Sequence, residues 1–459
     1  MLTAVGVAII VVVVGLLLTR RSNPIVGLTL VPLIGAVLAG FGVDQIGAFF
    51  SSGLLTVMPV AAMFMFAIVF FGVMQDAGLF RPLLRAMLVA TRGNVIAVTV
   101  GTALLGMVAH LDGAGATTFL LTIPALLPLY RRLNMSPYLM LMLLTLGAGI
   151  FNMTPWAGPL GRAAVVSGIE ATELWRPLIA IQAIGAVLLV MLAVLLGVRE
   201  AKRARALNAL GVSLSGGDDE RFDDWRPADA GAGESSGEPC SVDDVVVCKG
   251  LGHRRLMWLN GAIFVMVLAG LVTGALPSTY VFMIGLAVAL SINFPNARDQ
   301  IERIKMHAPN ALVMSSIIMA AGAFLGIMDG SGMLKSMAGD LTRVLPTALT
   351  PHLHLVLGFF GAPMELVLST DAYYFGLLPI VQEVVSSFGV SPSATLYAMT
   401  IGNIVGTFIS PFSPALWLAL GLANLEMGRH IRYSLLTVWG FSVVLLACAV
   451  ALGRIPISM

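Results

Sequence analysis

Charge is scarce in this chain. Asp, Glu, Lys and Arg make up 11% of its 459 residues, where a soluble domain carries about 25%. That excludes an ordinary soluble globule. Neither sign prevails, the formal net charge being +2, so nothing points to a nucleic-acid partner. Cysteine is scarcer still. Three residues, Cys240, Cys248 and Cys448, are too few for a disulfide framework, and the first two, with seven residues between them, lack zinc-ligand spacing. Catalytic signatures are missing too: there is no GxSxG, HExxH or Walker pattern. His352 and His354, in "HLH", do not share a helix face at that spacing and read as surface residues.

What the chain has is apolar length. Hydrophobic residues reach 58%. Runs such as "AVGVAIIVVVVGLLL" (4–18) and "AIGAVLLVMLAVLLGV" (183–198) approach the roughly 20 residues that cross a bilayer. The composition predicts an all-α polytopic membrane protein. Residues 4–18 read as a span rather than a cleaved leader, because "RR" (20–21) follows the run instead of preceding it.

Residues 199–255 are charged, Gly/Ser-rich and poor in large aliphatics, so they read as a linker. Its flanks, "REAKRAR" and "HRR", are basic and place it in the cytoplasm. The linker separates a first repeat, 1–198, from a second, 256–459. Basic clusters orient both. Arg81, Arg85, Arg92 and "RR" (131–132) put the ends of 95–130 on the cytoplasmic side, which predicts a re-entrant hairpin entering from there. "RDQIERIK" (298–305) and "RHIR" (429–432) place the hairpin at 348–385 on the external side. Arg162 and Arg343 do not fit this scheme.

The halves echo each other. "FFGVMQDAG" (70–78) aligns with "FLGIMDGSG" (324–332), "LLPL" (126–129) with "LLPI" (377–380), and "NMTPWAGP" (152–159) with "FISPFSP" (408–414). The expected fold is an inverted-topology repeat. Each half has about five transmembrane helices and one re-entrant hairpin. Proline-broken helices in matching positions point to a midplane binding site.

Polar residues gather at the hairpin tips and the breaks. Tip 1, "HLDGAGATTF" (110–119), holds His110, Asp112, Thr117 and Thr118, with Gly113 and Gly115 allowing a tight turn. Break 1 holds Asn152, Thr154 and Pro155, with Trp156 as a wall. Tip 2 holds Glu365, Ser369, Thr370, Asp371, Tyr373 and Tyr374; break 2 holds Asn403, Thr407, Ser410, Pro411 and Ser413. Burying a carboxylate at the bilayer centre costs roughly 2.5–3.5 kcal/mol even on lenient scales, so Asp112 and Asp371 read as functional. Either can ligate a hard cation or carry a proton. The hydroxyls and amides suit carboxylate oxygens, although any single Thr or Ser can instead bond its own backbone. His110 and Glu365 complete the candidates for metal or proton.

"HLDGAGATTFLLTIPALLPLYRRLNM" (110–135), "NMTPWAGPLGRAA" (152–164) and "APMELVLSTDAYYFGLLPI" (362–380) resemble the CitMHS family, symporters of citrate–divalent metal complexes with protons in the ion transporter superfamily. The resemblance spans both halves. It implies a homodimer in the plasma membrane of a bacterial cell, each subunit divided into scaffold and transport domains, and an elevator movement of the transport domain. It also implies Mg²⁺ or Ca²⁺ as part of the cargo, with no permanently bound cofactor. Sodium-using relatives carry Ser-Asn-Thr at both tips. Here the tips read "GATT" (115–118) and "LSTD" (368–371), which favours protons. Free citrate is close to a trianion, whereas its metal complex keeps about one negative charge, which is far less costly to bury. Moving that charge against the membrane potential costs about 2.3 kcal/mol per 100 mV, so more than one proton is needed for the potential to assist. Asp112→Asn and Asp371→Asn are both expected to abolish uptake. The competing readings are a sodium-coupled carboxylate or other organic-anion carrier on the same fold and, more distantly, a membrane-embedded enzyme.

Overall fold

The computed structural model describes residues 2–19, 23–79, 94–209, 251–346 and 349–455. All regular structure among them is helical, and six helices are long and apolar enough to cross a membrane. The order of elements repeats. The first half runs Leu2–Leu18, Pro24–Leu38 and Val43–Asp76, then the arms of hairpin 1 (Val95–Ala109 and Gly115–Arg132). A helix broken between Pro137–Phe151 and Gly158–Ser167 follows, and Ala171–Ala209 closes the half. The second runs Leu251–Thr273, Ser278–Asn293 and Ala297–Gly330, then an amphipathic helix Met333–Val344 and hairpin 2. Its broken helix comprises Pro392–Ile404 and Pro414–Ala423, and Met427–Ala451 closes it. The five spans and one hairpin expected per half are present. Residues 80–93 lie outside the described residues, and with them Arg81, Arg85 and Arg92; so do Arg20, Arg21, Cys240 and Cys248.

Local chemistry sets the starts. Among the described residues six α-helices begin with proline at the first or second position, including both pieces of both broken helices, where its missing N–H is no loss and its φ is already helical. Asn23 and Asn94 accept from the N–H of Ile25 and Ile96 at 3.0 and 2.9 Å, capping their helices. Val43–Asp76 and Ala297–Gly330 each have 34 residues and one internal proline. At about 1.5 Å per residue both exceed the roughly 30 Å hydrocarbon layer. They pack on each other through small residues: a Cβ on Gly53 would meet the Gly322 carbonyl at 2.1 Å, and one on Gly326 the Phe49 carbonyl at 2.3 Å. Lipid tails are as apolar as the helices, so this close approach, not the hydrophobic effect, holds them together.

Three sequence expectations are corrected. The linker boundaries at 199 and 255 fall inside helices, because Ala171–Ala209 and Leu251–Thr273 continue past them. The stretch "REAKRARALNA" is too charged for lipid but rich in good helix formers, so charge ends the span and not the helix. His354 is buried at 1% exposure, whereas His352 is exposed; the spacing that keeps them off one face sends one inward. Arg343 needs no place inside the membrane: it sits on the amphipathic helix, largely exposed and paired with Asp340 at 3.3 Å.

Candidate functional site

Tip 1 is a single 3₁₀ turn, His110–Asp112, followed by Gly113 in the left-handed region at φ 73°. The His110 ring is fully buried. Its Nδ1 lies 2.8 Å from the Thr118 hydroxyl and its Nε2 2.9 Å from Asn152 Oδ1, so tip 1 is bonded to break 1. Trp156 adds a second tie, donating from Nε1 to the Leu111 carbonyl at 2.8 Å. Trp156 is wedged among Phe71, Phe282 and Trp175, with ring centroids 5.1–5.7 Å away. Break 2 also reaches tip 1: the Phe408 ring stands edge-on to His110 at 5.3 Å, and a Cβ on Gly115 would meet it at 2.6 Å. Gly113 alone makes the left-handed turn; Gly115, expected to turn as well, is already the first residue of the helical second arm and serves close approach instead.

Asp112 is turned onto its own hairpin. It accepts from the Ala114 N–H at 2.9 Å and from the Thr117 hydroxyl, at the start of the second arm. This is a cap-like arrangement, and losing such a group costs about 0.5–2 kcal/mol. Asp112→Asn keeps an acceptor for Ala114 and removes only the charge. We expect Asp112→Asn to abolish uptake with a melting temperature close to wild type, and Asp112→Ala to lower both. Wild-type uptake by Asp112→Asn in proteoliposomes would reduce Asp112 to a cap.

Tip 2 is looser. After Gly361–Met364 the chain is irregular over 365–369, resumes helical turns at Thr370 and Asp371, and winds through a π-helical turn, Ala372–Leu377, into Leu378–Ser386. Glu365 is fully buried. Its carboxylate faces the Thr370 hydroxyl at 3.3 Å, with Asn403 and Ser410 beside it, and its carbonyl accepts from Ser410 Oγ at 2.6 Å. Ser369 Oγ accepts from the Ala372 N–H at 3.2 Å. Asp371, at the head of the π turn, accepts from Arg162 Nε at 2.6 Å; the two side chains are only 16% and 11% exposed. Arg162 stands one turn into the helix after break 1, so this ion pair joins the two halves.

The structure thus brings together His110, Thr118 and Asn152, and separately Glu365, Thr370, Asn403 and Ser410. It does not give every candidate hydroxyl a free role. Thr154 and Thr407 donate to the carbonyls three residues back, Phe151 and Ile404, each at 2.9 Å. Ser413 heads its helix without a side-chain cap bond. The Pro411 carbonyl accepts from Trp417 Nε1 at 2.8 Å, and Pro155 lies in the turn of break 1. Tyr373 donates to the Met399 carbonyl at 3.1 Å, and both tyrosines are buried packing. Two amides keep an unused atom: Asn152 Nδ2 and Asn403 Oδ1 have no partner among the described residues, although both side chains are buried. Among the described residues no three His, Cys, Asp or Glu side chains gather into a metal-holding group.

Arg162 and Phe408 are the residues that sequence reasoning missed. An arginine inside "GPLGRAA" is as costly at membrane depth as Asp371, and that cost was the available signal. Phe408 carried none, since one aromatic in an apolar chain is ordinary.

Residues 1–402 match the CitMHS family, described as "Citrate transporter". The chain is 34% identical to "Citrate transporter" of Bacillus subtilis (strain 168), over 99% of this chain and 100% of that one. It is 33% identical to "Mg(2+)/citrate complex secondary transporter" of the same organism, over the full length of both. Among solved structures, the YdaH transporter of Alcanivorax borkumensis shares the fold, with TM-score 0.56 and 18% identity over 90% of this chain and 89% of that one.

Proposed function

The chain belongs to the CitMHS citrate transporter family, and from that premise we propose that it imports citrate complexed with a divalent cation, Mg²⁺ or Ca²⁺, in symport with protons. The observation that carries this reading is the interlock of two tips and two breaks around groups of both charges. His110 and Asn152 join tip 1 to break 1, Ser410 joins break 2 to tip 2, and Arg162 and Asp371 close the ring between halves. A relative named as a Mg(2+)/citrate complex transporter supports the metal. A metal–citrate complex presents carboxylate oxygens to donors and a hard cation to carboxylates, which is the mixture these residues offer. The hairpin-bearing half of each repeat moves against the paired 34-residue helices as an elevator, in a homodimer, with residues 199–255 on the cytoplasmic side.

The test is radiolabelled citrate uptake by the full chain in proteoliposomes with an inward proton gradient. Uptake should require Mg²⁺ or Ca²⁺, vanish in chelator, and collapse with a protonophore. Uptake that persists in chelator and follows a sodium gradient would overturn the proposal.

A further inference from the structure

The Arg162–Asp371 ion pair has the charge pattern of the proposed cargo. A guanidinium and a carboxylate lie in contact, largely withdrawn from water, at 2.6 Å. A metal–citrate complex is likewise a cation bound to carboxylate. We propose that the two exchange partners: a citrate carboxylate takes the Arg162 guanidinium, and the complexed metal takes the Asp371 carboxylate. This rests on the metal–citrate reading above and adds how the site tells complexed from free citrate.

Three observations support the exchange. Arg162 contacts Asp371 through Nε alone, and no other hydrogen bond from its guanidinium is found among the described residues. Its two terminal nitrogens therefore stay available for the two-pronged grip that a carboxylate fits. The guanidinium folds back over the start of its own helix, where a Cβ on Gly158 would meet Nη1 at 2.6 Å. Glycine there gives the side chain its resting place. A cleft of about 360 Å³ then runs between the paired long helices and hairpin 2, lined by Ser52, Thr56, Val165, Asp329, Pro379 and Glu383. Val165 is one helical turn beyond Arg162 and Pro379 two turns beyond Asp371, so the cleft shares both helices with the pair, although neither Arg162 nor Asp371 lines it.

Charge explains the selectivity. Free citrate at Arg162 would release Asp371 as a buried, unpaired carboxylate beside a trianion. Removing one partner of a buried pair is strongly unfavourable. The same Arg162 charge acts on Glu365, so a second carboxylate would lose its balancing cation as well. The metal ion compensates both effects. It needs only one or two added oxygens, because citrate and retained waters supply the rest of its shell. The pair then holds tip 2 closed when no cargo is present and releases it only to a ligand with both signs.

The experiment is equilibrium binding of radiolabelled citrate to the purified full chain in detergent, with Mg²⁺ and with chelator, alongside a melting curve. Wild type should bind only with Mg²⁺. In Asp371→Asn the preference for Mg²⁺–citrate over free citrate should fall by about tenfold or more, because no carboxylate is left to strand. Arg162→Gln should weaken binding of the complex by about a hundredfold. Gly158→Ala, which displaces only the end of a flexible side chain, should weaken it at an unchanged melting temperature. Arg162→Asp combined with Asp371→Arg should restore the melting temperature but not binding. The exchange is overturned if Asp371→Asn keeps the wild-type preference, or if the reversed pair restores binding. Wild type that binds citrate equally with and without metal would instead overturn the metal–citrate reading itself.

Discussion

Glu365→Gln should fold, melt close to wild type, and transport citrate about a hundredfold more slowly. Glu365 is fully buried, and its carboxylate stands among Thr370, Asn403 and Ser410 with the charge of Arg162 acting on it. Glutamine keeps the shape and one acceptor oxygen for the Thr370 hydroxyl. It loses the ability to gain and release a proton, and the charge that answers Arg162. Hydrogen bonds involving a charged group are worth about 1.5–3 kcal/mol, which corresponds to roughly ten- to a hundredfold in rate. Glu365→Ala should do further harm, because Thr370 and the Asn403 amide would lose a buried partner. That leaves donors unsatisfied at about 1–3 kcal/mol each, visible as a lower melting temperature. Initial uptake rates in proteoliposomes and melting curves separate the two effects. Wild-type uptake by Glu365→Gln would make Glu365 a structural group and leave proton transfer to other residues.

Sequence and structure agree most where the cost of a residue is high. Hairpin 1 was predicted for 95–130, and its arms span 95–109 and 115–132. The breaks fall at the prolines of "NMTPWAGP" and "FISPFSP", since proline cannot continue a helix without losing a bond. Tip 2 was less legible. Nothing in "MELVLSTDAYY" marks where the irregular stretch 365–369 gives way to helix and then to the π turn at 372–377, because no glycine or proline stands at either boundary. Partner choice was not legible at all. Arg162 and Asp371 are far apart in the chain, and only the fold brings the helix after break 1 against tip 2. Thr154 and Thr407 were candidates by composition, yet both satisfy a carbonyl of their own helix, a local option open to any Thr.

Gly402→Ala should leave no stably folded protein. The first arm of hairpin 2 lies on Pro392–Ile404 at backbone contact: a Cβ on Gly402 would stand 1.8 Å from the Gly358 carbonyl, and one on Gly361 would stand 2.5 Å from the carbonyl carbon of Gly402. A side chain can rotate away from such a clash, but two helix backbones cannot. The cost therefore exceeds the usual 1–3 kcal/mol of overpacking. The first half repeats the contact more loosely. Gly147 there would meet the Ala103 carbonyl at 2.9 Å, whereas Gly421 has open space. Gly402→Ala should consequently show no cooperative melting, and melting temperatures should rank Gly361→Ala lowest, then Gly147→Ala, with Gly421→Ala at wild type. A Gly402→Ala protein that melts like wild type would mean that the hairpin is not seated there. The ranking also bears on movement. In the proposed elevator movement, arms fixed this closely would travel with their broken helices as one body. The part of hairpin 2 left to open in that movement would be the segment from Glu365 through the π turn. Asp371 stands within it, held to Arg162.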